Sequence, residues 1–229
     1  MTATHTTGTD RRVLIAEAGM RIIARDGVRA LTHRAVDREA GLSQGSSSYY
    51  VPTRSALIDL IVRTLAERSI GDAEQFTPPM PQTHAGDGGQ GIEALAAGIA
   101  QTLEAFAART VEMRTRYALL LELDAEDPSR ALLAQQSPVR QGMLGQASQV
   151  LAELGVADPP ARARELFELA EALLARRVIL GGDAAATEAL VRAHLRGLAA
   201  GHDADPAGDP RSPRRQVPVR EHPLPIPRA

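Results

Sequence analysis

The stretch Ser43-Gln44-Gly45-Ser46-Ser47-Ser48-Tyr49-Tyr50 packs hydroxyls, a primary amide and two phenols into one short polar block. Short neutral hydrogen-bonding groups of this kind suit the edges of nucleotide bases and the oxygens of phosphates. The Gln44 amide could bond adenine N6 and N7 together, a contact worth about 1–3 kcal/mol of discrimination between bases. Tyr49 and Tyr50 each offer a flat ring and a hydroxyl able to reach phosphate. Gly45 would let the backbone come close, and the hydroxyls of Ser46 and Ser48 need partners if they lie in a helix. Arg34 and Arg54, on either side of the block, bring charge suited to a phosphodiester chain. Each residue also has a plainer reading, since serine runs are commonly loops and Arg34 and Arg38 could be ordinary surface. Adjacent tyrosines usually place one ring inside, so Tyr49 or Tyr50 is expected to pack against Leu57 or the first helix.

The elements around the block would position it. Thr32 is expected to cap a helix ending at Ala40, with Gly41 as the turn. Ser43 is expected to cap a second short helix, closed before Pro52 because the residue before proline resists the α region. Residues 32–51 therefore read as a helix-turn-helix whose second helix enters a DNA major groove, with Gln44 at its N-terminal end. Upstream, Arg11 to Asp26 has helical periodicity, with Val13, Leu14, Met20, Ile22 and Ile23 on its apolar side. Downstream, Thr53 begins a longer helix to about Gly71, carrying Leu57, Ile58, Ile61 and Leu65.

Composition narrows the rest. Of the residues 44% are hydrophobic but only 3% aromatic, so the core must be aliphatic, from residues compatible with helix. The absence of cysteine excludes disulfides and thiolate chemistry. The six histidines (His5, His33, His84, His194, His202 and His222) lack metal-ligand spacing, so no metal and no cofactor are expected. No apolar run approaches the roughly 20 residues of a membrane span, and the N-terminus has no signal-peptide core, which predicts a cytoplasmic protein. The net charge of -2 conceals a split: residues 1–70 carry a net +3 and residues 71–202 a net -6. The positive segment is the one that holds the motif.

Beyond it, the prolines at 78, 79 and 81 and the glycines at 86, 88, 89 and 91 are expected to break the helix, making 70–91 a connector. From 92 to 202 the pattern is helical throughout. Ile92, Leu95, Ile99, Leu103 and Phe106 form one stripe, and Met113, Tyr117, Leu120 and Leu121 another. Two final helices are expected at Ala161–Leu180 and Ala184–Ala200. Residues 203–229, rich in Pro and Arg without periodicity, are expected to be a disordered tail. No alternation of strand type occurs, so the predicted fold is all-α.

From about Thr9 to Ser69 the chain resembles the DNA-binding domain of the TetR family of bacterial regulators. The resemblance rests on Thr32, Ala40-Gly41-Leu42-Ser43, Gly45, Tyr49-Tyr50, Val51, Thr53-Arg54 and Ala56-Leu57, in that order. It implies a three-helix helix-turn-helix domain over 9–69, followed by a larger helical domain over 92–202 for effector binding and dimerisation. The implied function is a sequence-specific transcriptional regulator, a ligand-released repressor on a palindromic operator. The implied partners are double-stranded DNA, a second copy of the chain and a small-molecule effector. Thr32, Arg34, Ser43, Gln44, Gly45, Ser46, Ser48, Tyr49, Tyr50, Thr53 and Arg54 are its expected DNA contacts. Phe106, Met113, Tyr117, Leu120, Leu121 and Met143 are the candidate effector contacts, and the last two helices the dimer surface.

Three residues depart from the family pattern. Val51 replaces a usual Phe, Tyr50 a common His, and Asp37 a usual Ala. An aspartate facing DNA would repel phosphate, so Asp37 is expected to point to solvent or to pair with Arg34 or Arg38. No nucleophile–base pair or phosphate-cradling loop is legible, which argues against an enzyme. The competing readings are a helical small-molecule-binding protein that does not read DNA, and an activator on the same fold.

Overall fold

The computed structural model describes the backbone of residues 8–76, 88–134 and 138–203, and the side chains of 10–69, 89–134 and 140–200. Ten α-helices and one short 3-10 turn make up most of the described residues, and no strand occurs among them. Residues 204–229 of the predicted tail lie outside the described residues, as does the middle half of the predicted connector, 77–87; its two ends, 70–76 and 88–91, are helical.

Four helices make the N-terminal head: α1 (Gly8–Asp26), α2 (His33–Glu39), α3 (Ser46–Tyr50) and α4 (Arg54–Phe76). Gly27, in the left-handed region at φ 84°, ends α1, and the 3-10 turn Val28–Ala30 follows. The apolar side of α1 differs from the expectation at its start. Val13 and Leu14 are exposed, and burial begins at Ile15 and continues through Met20, Ile22 and Ile23. Gly19 brings α1 close to α4: a Cβ there would lie 2.5 Å from Ile61 Cδ1.

The remaining helices are α5 (Gly88–Ala108), α6 (Thr110–Glu122), α7 (Pro128–Leu133), α8 (Pro138–Glu153), α9 (Pro159–Leu180) and α10 (Ala184–Asp203). The glycines at 88, 89 and 91 were expected to lie in a loop, but they form the first turn of α5. First-turn N–H groups need no intrahelical acceptor, so glycine there weakens the ladder little. Gly91, Ile92 and Leu95 are buried, so packing outweighs the roughly 1 kcal/mol that each helical glycine costs.

Two aliphatic cores result. The first joins α1, α2 and α4 around Ile15, Ile23, Leu31, Leu57 and Ile61, and it also takes in Leu119 of α6 and Leu133 of α7. The second joins α5, α6, α8, α9 and α10 around Leu95, Leu103, Leu151, Leu166 and Val191. α6 therefore serves both cores. Its Thr115 hydroxyl lies 2.7 Å from Val111 O in its own helix and 3.0 Å from Met20 O in α1, fully buried at the junction. Arg68 of α4 bonds Glu17 of α1 and lies 3.6 Å from Glu112 of α6, a second tie between the same helices.

Candidate DNA interface and effector cavity

The helix-turn-helix is closed by a residue whose role the sequence concealed. Asp37 neither faces solvent nor pairs with Arg34 or Arg38; it is 3% exposed. Its Oδ2 accepts the Gly45 N–H at 2.7 Å, and its Oδ1 accepts the Ser47 N–H at 2.8 Å. The reason lies in where α3 starts. Ser43 was expected to be its cap, yet the helix begins at Ser46, and the N-cap position is Gly45 at φ 92°. Glycine tolerates that left-handed backbone but has no side chain to cap with. The Asp37 carboxylate supplies the cap from α2. Burial opposes its charge, but hydrogen bonds from Ser47 and from the Gly45 N–H, with His33 nearby, hold its pKa below the ordinary carboxyl value.

Further polar contacts fix the same turn. The Ser47 hydroxyl donates to His33 O at 3.2 Å, and His33 Nε2 lies 2.6 Å from Val51 O. Ser43 Oγ and Ser46 Oγ are 2.8 Å apart, and the Ser48 hydroxyl donates to Gly45 O at 2.8 Å. Thr32 Oγ1 accepts the Ala35 N–H and Thr53 Oγ1 the Ala56 N–H, so both threonines act as helix caps. Val51 is buried despite its smaller volume than Phe.

The two tyrosines divide. Tyr50 is half-buried against the first core, while Tyr49 is 82% exposed. Their rings meet edge to face at 5.2 Å. Thr32, Arg34, Ser43, Gln44, Gly45, Thr53 and Arg54 are exposed, and Ser46 and Ser48 are partly so. Among the described residues Arg34 and Arg38 enter no ion pair, whereas Arg21 and Arg25 are both bonded to Glu39. Arg54 differs from expectation in one respect: its Nη2 donates to Val28 O at 2.9 Å, so part of its guanidinium ties α4 to the 3-10 turn.

The second feature is a cavity of about 170 Å³ between α5, α6, α8 and α9. Phe106, Met113 and Met143 line it as expected. Tyr117 and Leu120 do not: Tyr117 packs into the second core and Leu120 against the first. Burial, with the Glu171 charge adding to it, pushes the Tyr117 hydroxyl up to about 12 against the opposing Arg116. Leu121 is 86% exposed and lies outside the cavity lining. The last turn of α6 turns Leu119 inward, and two residues on, about 200° around the helix, Leu121 faces water.

Arg116, Arg140, Phe167 and Glu171, none of them expected there, also line the wall. Arg116 Nη2 bonds Glu171 Oε2 at 3.1 Å, and its Nε donates to Leu133 O at 3.1 Å. Arginine and glutamate on amphipathic helices look like solvated surface, so only the three-residue spacing from Met113 to Arg116 could have signalled this wall.

An all-α chain with an N-terminal helix-turn-helix and a cavity-bearing helical bundle is the architecture of a one-component regulator fold. Residues 90–201 match the family described as tetracyclin repressor-like, C-terminal domain. The matched segment follows the helix-turn-helix, the order of domains that the resemblance of residues 9–69 to the TetR family implies.

Solved structures share the fold over most of their length. A transcriptional regulator from Rhodococcus sp. RHA1 is 20% identical with a TM-score of 0.63, covering 85% of this chain and 99% of that one. A regulator from Pseudomonas aeruginosa PAO1 is 18% identical with a TM-score of 0.64, covering 88% and 96%. The multidrug binding protein EbrR, complexed with malachite green, is 21% identical with a TM-score of 0.58, covering 82% and 98%. No curated protein matches the chain by sequence. No helix among the described residues is long and apolar enough to cross a membrane.

Proposed function

We infer that the protein is a dimeric, sequence-specific DNA-binding regulator whose affinity for its operator is lowered by a small molecule in the cavity. The observation that carries this reading is the turn held by Asp37, which leaves Gln44 and Tyr49 exposed, as are Arg34 and Arg38, which enter no ion pair among the described residues. Fixed polar side chains flanked by uncompensated positive charge are what base reading and phosphate anchoring require. Gln44 reads a base, Tyr49 and Ser48 approach the backbone, and Arg34 and Arg54 supply charge.

The dimer surface is assigned to α9 and α10, where Ile179, Leu180 and Leu190 are 59%, 76% and 53% exposed. Pairing those helices with a second copy would bury the three side chains and form a four-helix bundle. Two motif helices about 34–36 Å apart then meet one face of a palindromic site.

Effector binding reaches the head through α6 and α7. Arg116 in the cavity wall holds Leu133 at the end of α7, and Ser129 of α7 donates to Asp59 Oδ1 of α4 at 2.9 Å. A ligand that shifts Arg116 thus shifts the helix that orients the motif, and favours one of two head spacings. The multidrug binding protein that holds malachite green supports the cavity as an effector site.

The test is selection of random duplex DNA by the purified protein at fixed, near-physiological salt. A two-fold symmetric consensus is the expected result. Absence of enrichment, also at low salt, overturns DNA reading and leaves a helical small-molecule-binding protein.

A further inference from the structure

The polar side chains of the cavity wall are already engaged within the protein, and this limits what the cavity can hold. Among the described residues the polar members of the wall are Ser69, Thr102, Arg116, Arg140, Gln146 and Glu171. Arg116 and Glu171 answer each other: Arg116 Nη2 lies 3.1 Å from Glu171 Oε2, and Arg116 Nε donates to Leu133 O. The two side chains are only 17% and 29% exposed. Breaking such a pair strands a charge without water, so neither partner is available to a ligand. Arg140 is engaged as well, with Nη2 2.8 Å from Glu168 Oε1 and its guanidinium 4.4 Å from the centre of the Phe167 ring. A ligand carboxylate there would only replace one carboxylate by another, with no new contact to offset its own loss of water.

The hydroxyls are satisfied too. Ser69 donates to Leu65 O at 2.8 Å and Thr102 to Gly98 O at 2.9 Å, each within its own helix. A hydroxyl has one hydrogen, so neither brings a free donor to the cavity. Gln146 is exposed, and its amide is open to water. Leu, Ile, Met, Phe and Ala make up the rest of the wall, of which Leu103, Phe106, Met113 and Leu166 are buried. No group here calls for a charged partner, and an ion would exchange water for hydrocarbon. Size sets the other limit. The cavity measures about 170 Å³, and an apolar cavity of about 150 Å³ holds benzene.

We propose that the cavity binds an uncharged, largely apolar molecule about the size of one substituted ring, its body against Leu103, Phe106, Met113 and Leu166. The proposal rests on the reading of this cavity as the effector site and adds the ligand's charge and size. Selectivity comes from the closed charges of the wall. An anion finds each guanidinium already paired with a glutamate, and a cation finds the Glu171 carboxylate held by Arg116. A neutral molecule disturbs neither pair.

The experiment is titration calorimetry of the full chain at neutral pH with 4-ethylbenzyl alcohol, 4-ethylbenzoate and 4-ethylbenzylamine, which share a ring and differ in charge. The alcohol is expected to bind about tenfold more tightly than either ion. Ala170→Leu adds a branched side chain to the lining and should weaken the alcohol by about tenfold. Glu171→Gln keeps the shape of the wall but leaves the Arg116 charge uncompensated, so it should narrow the gap between alcohol and benzoate by about tenfold. An ion that binds the parent as tightly as the alcohol overturns the uncharged assignment and leaves an effector cavity of another chemistry. Alcohol binding undiminished in Ala170→Leu places the molecule outside the cavity and overturns the proposal as well. A gap unchanged in Glu171→Gln overturns charge closure as the source of selectivity. Failure of all three to bind overturns the proposal together with the effector-site reading. Alcohol binding that leaves operator affinity unchanged supports the uncharged site and counts against ligand-controlled DNA binding instead.

Discussion

Asp37 accepts the backbone N–H of Ser47 at 2.8 Å, ten residues along the chain, and so caps a helix to which it does not belong. The same carboxylate takes the Gly45 N–H, which joins the two helices of the motif through one buried charge. Position 37 therefore holds the turn that carries Gln44.

Asp37→Asn should destabilise the protein by about 1–3 kcal/mol, because an amide offers one acceptor oxygen where two N–H donors converge. The folded pKa of Asp37 lies below its unfolded value. Its stabilisation is thus complete above the unfolded pKa, near 3.9, and is lost as pH falls through the lower folded value. Chemical denaturation between neutral pH and pH 3 should show a shallower acid loss in the variant. A variant as stable as the parent would mean that another group caps α3.

Gly19→Ala should destabilise although alanine is the better helix former by about 1 kcal/mol. The new Cβ would meet Ile61 Cδ1 at 2.5 Å and Cγ1 at 3.1 Å, inside a fully buried contact. Overpacking of this kind costs about 1–3 kcal/mol. Ile61→Val removes the Cδ1 atom, so the double variant should recover part of the loss in a double-mutant cycle. Strict additivity would show that the helices separate by another route.

Gln44→Ala and Arg54→Ala should separate reading from anchoring. The first is expected to relax preference at one base position of the selected site while leaving non-specific affinity largely intact. The second should weaken binding to all sequences and lower the salt slope by about one. It should also lower Tm, since Arg54 Nη2 holds Val28 O. A lowered Tm with an unchanged salt slope would reduce Arg54 to a structural role.

Ser129→Ala should weaken communication rather than either binding event. It removes the hydroxyl that bonds Asp59 between α7 and α4. Effector affinity and operator affinity, each measured alone, should stay within a few-fold of the parent. The shift in operator affinity at saturating effector should shrink by about 0.5–2 kcal/mol. An undiminished shift would leave the Thr115 contact with α1 as the transmitting path.

Leu190→Arg should disfavour self-association, because Leu190 is 53% exposed on α10 in the single chain and the proposed bundle would bury it. Sedimentation velocity should show a lighter species, with circular dichroism unchanged. An unaltered sedimentation coefficient would place the interface elsewhere.

Much of the architecture was written locally. Helix periodicity, glycines and prolines at helix ends, and the order of Thr32, Gly41, Gly45, Tyr49 and Tyr50 marked the motif and the all-α class, because each depends on residues only a few positions apart. Even so, α3 starts two residues later than a Ser43 cap would place it. Ser43 has the chemistry of a cap, and nothing nearby revealed that Asp37 would take its place.

What tertiary structure alone decided are the contacts between distant segments. The burial of Asp37, the pairing of Arg116 with Glu171 and the Ser129–Asp59 bond join residues 10, 55 and 70 positions apart. Charged residues on a helix read as surface until a second helix covers them, so the charged part of the cavity wall could not be named from sequence. Leu121 shows the converse, a leucine in an apolar stripe left in water. Periodicity states which residues share a face, and only the packing of α6 between two cores settled which faces were covered.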